Sequence, residues 1–366
     1  MVFSVLGTSF GDEGKGTVVN WLGRMCSDGV VVRFSGGHQC SHTVVYYEKR
    51  HVFRCFGSAT FQRLPTYFAK GTCIYPPVAL GEKDKLIALG CNPELTVHPL
   101  SLLTTHFDVA LNRVLERKNQ HGSTGLGIGT TMARNEKSGY KLFTADILNR
   151  QILTAKLQNI YRYYTSQLNE EEKQYFDEVV SKEEPNFWHS INELPFDIQG
   201  YDYLNRFSNH IFEGSQGLLL DMNFGLFPNV TYSDLTTGAI QKVLEESIGR
   251  TPIDTYYVTR CYLTRHGNGW FPREEQLKLI NNTSETNVYN EHQGNFKISE
   301  FNEDLVKQAI YFDSLSTNLL LTKNLVVTCL DQRPDFDIKK LYTFRTLNLE
   351  RIFLSSKDDS SKIVTL

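Results

Sequence analysis

The beginning of the chain places a glycine-rich loop between an apolar strand and a helix, and this arrangement restricts the possible folds more than any other feature. Residues 2–6 are apolar and predict a strand, residues 15–25 predict a helix, and residues 30–34 predict a second strand. A strand–helix–strand order is typical of a βαβ unit, whose two strands run parallel. Further short strands are predicted at residues 211–213, 255–259 and 325–329. We therefore expect an α/β fold with a mostly parallel central sheet that is completed late in the chain.

The composition is that of an ordinary globular protein. The 366 residues are 40% hydrophobic, and 38 Lys and Arg residues stand against 41 Asp and Glu residues, which gives a net charge of −3. The apolar fraction excludes disordered and fibrous classes. A protein that binds a nucleic acid polymer or an acidic membrane is expected to carry a basic excess. The length allows one large or two modest domains, and the strand pattern favours a single domain over residues 1–366. We expect neither a nucleic acid polymer nor a membrane as partner, so that any nucleotide the protein binds would be free.

Targeting and cysteine patterns favour a cytoplasmic protein. The first residues lack the basic and long apolar regions of a signal peptide, and no run approaches the roughly 20 apolar residues that span a bilayer. The seven cysteines are an odd number without CxxC or Cys/His ligand spacing. Such a pattern is typical of reduced thiols in a cytoplasm.

Two segments are expected to lie outside the sheet and to carry no chemistry. Apolar residues at helical spacing, among them Leu153, Leu157 and Tyr164, predict an amphipathic surface helix pair over residues 147–196. We expect this pair to be an appendage. The chain ends in a stretch rich in Ser, Lys and Asp, which predicts a mobile tail at residues 356–366.

The loop at residues 7–17 has the properties of a phosphate-binding loop. Its four glycines let backbone amides approach a polyanion, the helix N-terminus adds partial positive charge, and Lys15 can reach terminal phosphates. It is not a Walker A sequence, because Ser9 and Gly16 stand where that motif needs Gly and Ser or Thr. Asp12 and Glu13 would repel a triphosphate unless a cation or proton lay between them. Asp12 is therefore a candidate Mg²⁺ ligand or catalytic base, and the alternative is a helix cap.

A second polar loop follows the second predicted strand. Residues 36–43 read Gly-Gly-His-Gln-Cys-Ser-His-Thr. Loops that follow parallel strands meet at the carboxyl edge of the sheet, so we expect this loop to lie beside the first one. His42 is then a candidate site residue, and the alternative is a structural histidine.

These loops belong to a larger set of ordered motifs that resembles a known family. The motifs are Gly-Asp-Glu-Gly-Lys-Gly at residues 11–16; Gly-Gly-x-x-x-x-His-Thr at 36–43; Ser-Thr-Gly-Leu-Gly-Ile-Gly at 123–129; Phe-Glu-Gly-Ser-Gln-Gly at 212–217, with Leu-Leu-Asp at 219–221 and Pro-Asn-Val-Thr at 228–231; Thr-Arg-His-Gly-Asn-Gly at 264–269, with Phe-Pro at 271–272; and Thr-Cys-Leu-Asp at 328–331. Together they resemble the adenylosuccinate synthetases over about 330 residues. This resemblance implies a ligase of purine nucleotide biosynthesis and a homodimer.

The family joins L-aspartate to carbon 6 of a 6-oxopurine nucleotide, with a nucleoside triphosphate and Mg²⁺. N1 of the purine is deprotonated, O6 attacks the γ-phosphate, and the aspartate amine then displaces phosphate. The resemblance implies that Asp12 is the general base and a Mg²⁺ ligand. It implies that His42 donates a hydrogen bond to the γ-phosphate or to O6.

The resemblance also assigns roles to other residues of the motifs. Lys15 and Gln216 join the catalytic set, Gln216 because it would read the 6-oxo edge of the purine, and the backbone of Ser41 is the second metal contact. The implied triphosphate-binding residues are Gly11, Asp12, Glu13, Gly14, Lys15, Gly16, Thr17 and, for the donor base, Asp331; for Asp331 the alternative is a surface acid at a strand end. The implied substrate-binding residues are Gln39, Thr124, Arg134, Gln216, Thr231, Arg265 and Lys297. Arg134 is the candidate for an arginine that the family supplies to the nucleotide 5′-phosphate across the dimer interface.

Several positions depart from the family pattern. The second loop has Gln-Cys-Ser where the family has Asn-Ala-Gly, Leu126 replaces an arginine, and Cys329 stands where a lysine is usual. In residues 290–299, Lys297 is the only cation, whereas the family has an arginine cluster for aspartate. A dicarboxylate is normally held by bidentate guanidinium groups, so we expect a non-standard acceptor pocket.

These departures favour one branch of the family. The phage 2-aminoadenylosuccinate synthases, which serve diaminopurine DNA, have compact chains with remodelled loops and use dGMP with an adenine donor. Guanine keeps the 6-oxo group and N1–H, and a phage protein would act in the host cytoplasm. That branch often has Ser in place of Asp12, so IMP remains open as the acceptor, and ATP and GTP both remain open as donors. A non-catalytic nucleotide-binding homologue and a general phosphatase or kinase are the competing classes.

Overall fold

A computed structural model describes residues 1–119, 125–274, 277–280, 296–356 and 363–366, and in them the fold is a large twisted sheet with helices on both faces. The strands are β1 Val2–Gly7, β2 Gly29–Arg33, β3 His42–Tyr46, β4 Lys49–Phe53, β5 Thr66–Phe68, β6 Cys73–Ile74, β7 Leu95–Val97, β8 Leu102–Leu103, β9 Asp197–Ile198, β10 Asn209–Gly217, β11 Ile253–Arg260, β12 Tyr262–Arg265, β13 Lys297–Glu300, β14 Leu321–Thr328, β15 Leu349–Ser355 and β16 Ile363–Thr365. The α-helices are α1 Lys15–Gly23, α2 Pro76–Ala88, α3 His106–Asn119, α4 Ile128–Lys137, α5 Arg150–Thr165, α6 Glu170–Glu193, α7 Thr237–Glu246 and α8 Glu303–Ser316. Short 3-10 helices cover Ser58–Gln62, Thr144–Leu148, Tyr201–Arg206, Leu218–Leu220 and Ile338–Leu347.

The central sheet has the strand order β16-β15-β14-β11-β1-β10-β2-β5-β7-β9. Every neighbouring pair is parallel except β15 and β16, which are antiparallel. The predicted α/β fold with a mostly parallel sheet is thus confirmed. The strands β1 and β2 of the opening βαβ unit are not adjacent, because β10 lies between them and pairs with both. The sheet is completed by strands that come late in the chain, as the pattern of short apolar runs predicts.

Alternate side chains of the central strands enter two separate hydrophobic clusters. Phe3 and Val5 of β1 pack with Val18, Val19 and Leu22 of α1 on one face. On the other face, the neighbouring strand residues pack with α7 and α8. Strands that are covered by helices on both faces of a sheet have continuous apolar sequences, which explains the Val-Val-Val of β2.

The helix pair α5 and α6 forms as predicted and buries one face. Leu153, Leu157 and Ile160 enter a third hydrophobic cluster, which α2 and α3 complete. Asn149 caps α5 and Asn169 caps α6 through side-chain hydrogen bonds to backbone amides, as Asn commonly does. The helices α5 and α6 therefore pack against α2 and α3 in this cluster.

Of the tail expected to be mobile at residues 356–366, residues 357–362 lie outside the described residues, and the residues after them form a strand. Residues Ile363–Thr365 form β16, which pairs with Phe353–Ser355 at the edge of the sheet. This pairing supplies the backbone hydrogen bonds that a tail would otherwise leave to water. Among the helices of the described ranges, none combines the length and the apolar character that are needed to cross a bilayer.

Candidate active site

Five neighbouring strands bring the candidate loops together at one edge of the sheet. The strands β14, β11, β1, β10 and β2 are consecutive in the sheet and parallel, so the segments that follow them share its carboxyl edge. The first loop joins β1 to α1, and the second joins β2 to β3. The expectation that these loops lie side by side is confirmed, because a Cβ atom on Gly16 would lie only 2.9 Å from Cβ of His42. Gly16 lets the first helix approach the second loop this closely.

The first loop is folded around the carboxylate of Glu13. Its Oε1 accepts hydrogen bonds from the backbone amides of Ser9 at 3.0 Å and Gly11 at 2.9 Å, and its Oε2 lies 2.7 Å from Nζ of Lys15. Burial raises the pKa of Glu13, but Lys15 and the loop amides outweigh it and hold the pKa below its usual value. The side chain of Glu13 thus stabilises the loop from within, and the predicted contact of this residue with the triphosphate stays a prediction. Lys15 is just as buried and is held by Glu13.

Asp12 is the exposed acid of this loop. Its backbone has a φ of 62°, in the left-handed region, and its side chain is 35% exposed. Arg260, at the end of β11, holds the Asp12 carbonyl through an Nε–O hydrogen bond of 2.6 Å. The helix-cap alternative is not what the structure shows, because Gly14 is the N-cap of α1 and no side chain caps that helix. Nε2 of His266 lies 3.4 Å from Oδ2 of Asp12.

The second loop is anchored by His38 and presents its following residues. His38 is fully buried, with Nε2 3.0 Å from the carbonyl oxygen of Leu126, and burial lowers its pKa to about 4. Gln39 is half-buried and Ser41 is exposed. Ser41 thus lies at the surface of the site, where its predicted metal contact through the backbone would require it.

His42 is held by a buried carboxylate. Its Nδ1 lies 2.5 Å from Oε1 of Glu213, a residue of β10, and its Nε2 is buried without a hydrogen-bond partner in the described part of the chain. Burial lowers the pKa of His42, although Glu213 opposes the shift. Burial raises the pKa of Glu213, but the interaction with His42, the charge of Arg33 and the hydrogen bond from Ser58 outweigh it and hold the pKa below its usual value. We infer an ionised Glu213 beside a neutral His42 ring that donates from Nδ1.

Gln216 ends β10 beside both loops. Its Nε2 donates a long hydrogen bond of 3.7 Å to Sγ of Cys40, and its Oε1 lies 3.5 Å from the position of a Cβ atom on Gly11. Thr231 lies nearby in the chain and is half-buried, with its backbone amide bonded to the Leu220 carbonyl at 2.8 Å. The structure thus brings Asp12 of the first loop, His42 at the start of β3 and Gln216 near the end of β10 to one edge of the sheet.

Arg134 lies inside the protein. Its guanidinium is buried in an ion pair with Asp108, with Nε–Oδ1 and Nη2–Oδ2 distances of 2.9 Å, and it donates further hydrogen bonds to the carbonyls of Tyr140 and Leu103. Asp108 thus neutralises the charge of Arg134 inside the protein, an arrangement that does not favour the predicted contact with a nucleotide across a dimer interface, and that contact stays a prediction. The homodimer also stays a prediction, and it does not depend on Arg134.

Arg265 and Lys297 face each other in the β12–β13 hairpin, where their Cα atoms are paired. The Nη atoms of Arg265 donate to the carbonyls of Trp270, Asn268 and Asn229, and its guanidinium lies 4.6 Å from the centre of the Phe10 ring. Arg265 therefore organises the loop that carries His266, and its predicted contact with substrate stays a prediction. Lys297 is half-buried.

The remaining predicted residues lie at the edge of the site or outside the described residues. Asp331 follows β14 and is half-buried, and the preceding Thr328 donates its hydroxyl to the Glu13 carbonyl at 2.7 Å. Thr17 and Gly14 belong to the start of α1 as expected. Thr124 falls in residues 120–124, outside the described residues.

Sequence reasoning missed the residues that support the site from inside the sheet. Glu213 and Arg33 are paired in the β10–β2 ladder and are completely buried, and Arg260 ends β11. Charged residues inside otherwise apolar parallel strands are costly unless they are partnered. Their presence in the runs Ile-Phe-Glu and Val-Val-Val-Arg is the signal that could have identified them.

The fold and these loops define a nucleotide-binding α/β protein whose phosphate loop is distinct from the Walker A type. The sequence profile of the adenylosuccinate synthetase family matches residues 4–332, and the chain belongs to this family. It is 33% identical over 288 residues to the adenylosuccinate synthetase of Neisseria meningitidis serogroup A, a match that covers 74% of this chain and 64% of the relative. It is 31% identical over 286 residues to the enzyme of Clostridium beijerinckii, where the coverage is 74% and 65%. The chain thus spans less than two thirds of the length of these curated relatives.

Two solved structures share the fold. The fully ligated adenylosuccinate synthetase from Plasmodium falciparum has a TM-score of 0.66 and 17% identity, and the match covers 100% of this chain and 87% of that one. The succinoaminodeoxyadenylate synthetase (PurZ) of cyanophage S-2L, bound to dGMP and dATP as an energy donor, has a TM-score of 0.65 and 16% identity, and the match covers 100% and 96%. At these identities the likeness concerns the fold alone.

Proposed function

We propose that this protein is a C–N ligase that joins L-aspartate to carbon 6 of a 6-oxopurine nucleoside monophosphate. A base removes the N1 proton, O6 attacks the γ-phosphorus of a nucleoside triphosphate, and the diphosphate leaves. The aspartate amine then attacks carbon 6 and phosphate departs. Membership of the adenylosuccinate synthetase family supports this reaction class.

The observation that carries the proposal is the meeting of Asp12, His42 and Gln216 at one edge of the sheet. Asp12 offers an exposed carboxylate, as a base must. His42 offers a buried Nε2 without a hydrogen-bond partner in the described residues, and such an atom is costly unless a ligand satisfies it. Gln216 offers an amide that both donates and accepts, which suits the 6-oxo edge of a purine.

The residues of the loop suit a magnesium ion that arrives with the triphosphate. In the described ranges, no group of three or more His, Cys, Asp and Glu residues forms a metal cage. Mg²⁺ usually takes one or two carboxylates and completes its shell with phosphates and water. The exposed carboxylate of Asp12, with the backbone of Ser41, would hold such an ion, which would neutralise charge on the transferred phosphoryl group.

Lys15 and Asp331 are proposed to bind the donor. Lys15 would contact the phosphates by sharing its ammonium group with Glu13, 2.7 Å away. Asp331 would accept hydrogen bonds from the donor base, and both ATP and GTP are candidate donors. Lys297, on β13 opposite Arg265, is the cation proposed to hold one carboxylate of aspartate.

For the acceptor we propose dGMP, with IMP as the second candidate. The pocket beside Gln216 departs from the family pattern, because Cys40, whose Sγ contacts Gln216, stands where the family has alanine, and a changed acceptor pocket is compatible with dGMP. The S-2L enzyme, which shares the fold, is bound to dGMP in its solved structure. The retained Asp12 and the curated relatives favour IMP.

The test is an acceptor competition with purified protein, Mg²⁺ and aspartate. IMP, dIMP, GMP and dGMP are each offered with ATP and then with GTP, and phosphate release and the mass of the succinylated product are measured. We expect the highest kcat/KM with dGMP, whereas a preference for IMP would select the second candidate.

Asp12→Ala is expected to abolish turnover, and near-normal activity of this variant would exclude Asp12 as the base. Phosphate release that does not require aspartate would instead identify a phosphatase or kinase. If no acceptor gives phosphate release or a succinylated product, the protein is not a ligase of this class.

A further inference from the structure

A buried carboxylate cluster lies behind His42, on the side away from its unpartnered ring nitrogen. Glu213 comes from the interior of β10 and is completely buried. Its Oε1 accepts from Nδ1 of His42 and from the hydroxyl of Ser58, and its Oε2 accepts from the Ser58 backbone amide at 3.2 Å. Three separate elements, β10, β3 and the 3-10 helix at Ser58–Gln62, therefore meet at one carboxylate.

Arg33 balances the charge of this carboxylate. It is the β2 residue whose Cα is paired with that of Glu213, and it is completely buried. One Nη atom donates to the Arg54 carbonyl at 3.1 Å, while Nε and the other Nη have no hydrogen-bond partner in the described residues. A buried guanidinium beside a buried carboxylate keeps the cluster near neutral. Glu213 can therefore remain ionised without a charged His42.

An ionised carboxylate only accepts hydrogen bonds, and this decides which ring nitrogen of His42 carries the proton. Nδ1 must donate to Glu213 across their 2.5 Å separation, so Nε2 is the nitrogen left for a ligand. Gly16 of the phosphate loop packs closely against both partners of this carboxylate, since a Cβ atom on it would lie 2.9 Å from Cβ of His42 and 2.9 Å from Oγ of Ser58. The hydrogen bond to Glu213 thus sets the tautomer of the ring before a ligand binds.

We propose that Glu213 is a positioning residue of the ligase reaction, which holds His42 through Nδ1 so that only Nε2 meets the reacting atoms. Ser58 fixes the carboxylate, and Arg33 offsets its charge. This inference rests on the proposed function, because it assigns His42 to the reacting phosphoryl group or O6. The arrangement follows the same logic as a carboxylate that orients a catalytic histidine.

The kinetic test replaces Glu213 by Gln, which keeps the shape but places an amide donor within reach of Nδ1. We expect Glu213→Gln to lower kcat on the order of 10- to 100-fold, as loss of a group that orients a functional histidine does, with KM for acceptor and triphosphate within about twofold. The double variant Glu213→Gln, His42→Asn should be no slower than His42→Asn alone, because the two residues act as one unit. Additive losses would overturn the proposal.

Glu82 offers a matched control. It is also a buried glutamate beside a histidine, with its carboxylate bonded to the backbone amides of Arg54 at 2.9 Å and Cys55 at 2.6 Å and 3.4 Å from Nε2 of His51. We expect Glu82→Gln to lower the free energy of unfolding without a change in kcat of more than about twofold. An equal loss of kcat in both variants would show that Glu213 acts through general stability and would overturn the proposal.

A spectroscopic measurement separates this inference from the proposed function. The ¹⁵N shifts of His42, assigned with the His42→Asn variant, report which ring nitrogen is protonated and need no turnover. We expect Nδ1–H in the unmodified protein, a weaker preference in Ser58→Ala, and Nε2–H in Glu213→Gln. An Nε2–H ring in the unmodified protein would overturn the inference even if the ligase is active. If the protein proves inactive with every acceptor while Nδ1–H is found, the proposed function fails and the placement of His42 stands.

Discussion

The Nζ atom of Lys15 lies 2.7 Å from Oε2 of Glu13, and this buried ion pair forms the interior of the glycine-rich loop. Glu13 also accepts the backbone amides of Ser9 and Gly11. The loop is therefore organised around its own carboxylate before any ligand arrives. A phosphate group that binds Lys15 must share this ammonium group with Glu13.

Replacing Glu13 by Gln should destabilise the protein, because it leaves the buried Lys15 without a countercharge. We expect the free energy of unfolding to fall by about 3–5 kcal/mol, as for other broken buried pairs, measured by urea denaturation at neutral pH. Added tripolyphosphate should recover more stability in this variant than in the unmodified protein, because the anion supplies the missing charge. Glu48→Gln, at an exposed position, is the control, and equal stability of the two variants would contradict the prediction.

Arg134→Ala should likewise act on stability and leave nucleotide affinity unchanged. The arginine is bonded to Asp108 through two nitrogens, and the hydroxyl of Tyr164 donates to the same carboxylate at 2.6 Å. Removal of the guanidinium leaves Asp108 as a buried charge, so we expect a loss of about 3–5 kcal/mol in urea denaturation. The exposed Arg162→Ala is the control. A stable Arg134→Ala protein with a raised KM for the nucleoside monophosphate would instead support the phosphate contact across a dimer.

The contrast between Asp12 and Arg134 shows which parts of the site the sequence can predict. Asp12 and His42 come after strands β1 and β2 and Gln216 lies near the end of β10, and a parallel sheet brings the carboxyl ends of its strands to one edge. Arg134 lies on α4, and its environment depends on Asp108, 26 residues earlier on α3. Local spacing does not reveal such a partner, so neither the sequence pattern nor the resemblance indicates this buried ion pair.

The strand order of the sheet is also only partly predictable from local sequence patterns. The opening strand, loop and helix follow from apolar runs and glycines, whereas the insertion of β10 between β1 and β2 is a pairing between residues about 200 positions apart. The role of Glu213 depends on that insertion, because it brings the carboxylate beside Arg33 and His42. No local pattern encodes this neighbourhood.

Gly37→Ala should disturb the second loop through a backbone clash. A Cβ atom at this position would lie 2.2 Å from the Cys73 carbonyl oxygen and 2.7 Å from its Sγ, so the loop must shift. We expect a loss of about 1–3 kcal/mol in stability, as for other overpacked sites, and a lower kcat because the same loop carries His42. Gly139→Ala has nothing within 4 Å of the added atom and is the control in thermal unfolding and in the ligase assay. Equal effects of the two substitutions would show that the close approach of Gly37 to Cys73 is not required.

Asp313 should give the stability a pH dependence that is independent of the site. It is completely buried on α8, and it accepts hydrogen bonds from the Tyr257 hydroxyl and the Thr237 amide, both at 2.7 Å. Burial outweighs these bonds and raises its pKa from 3.8 to about 6. Because the folded protein binds this proton more tightly than the unfolded chain, the contribution is complete below about pH 4 and is lost as the pH rises through 6.

Asp313→Asn removes this proton, so the comparison of the two proteins isolates its effect. Between pH 4 and 7 we expect the unmodified protein to lose on the order of 3 kcal/mol relative to Asp313→Asn, at about 1.4 kcal/mol per pKa unit, with a constant difference above pH 7. Urea denaturation across this range measures it, and the exposed Asp304→Asn on the same helix controls for surface charge. If the difference in the free energy of unfolding between the unmodified and Asp313→Asn proteins does not change from pH 4 to 7, Asp313 titrates near its ordinary value. If the free energy of unfolding of the unmodified protein instead rises with pH relative to Asp313→Asn, burial does not raise the pKa of Asp313.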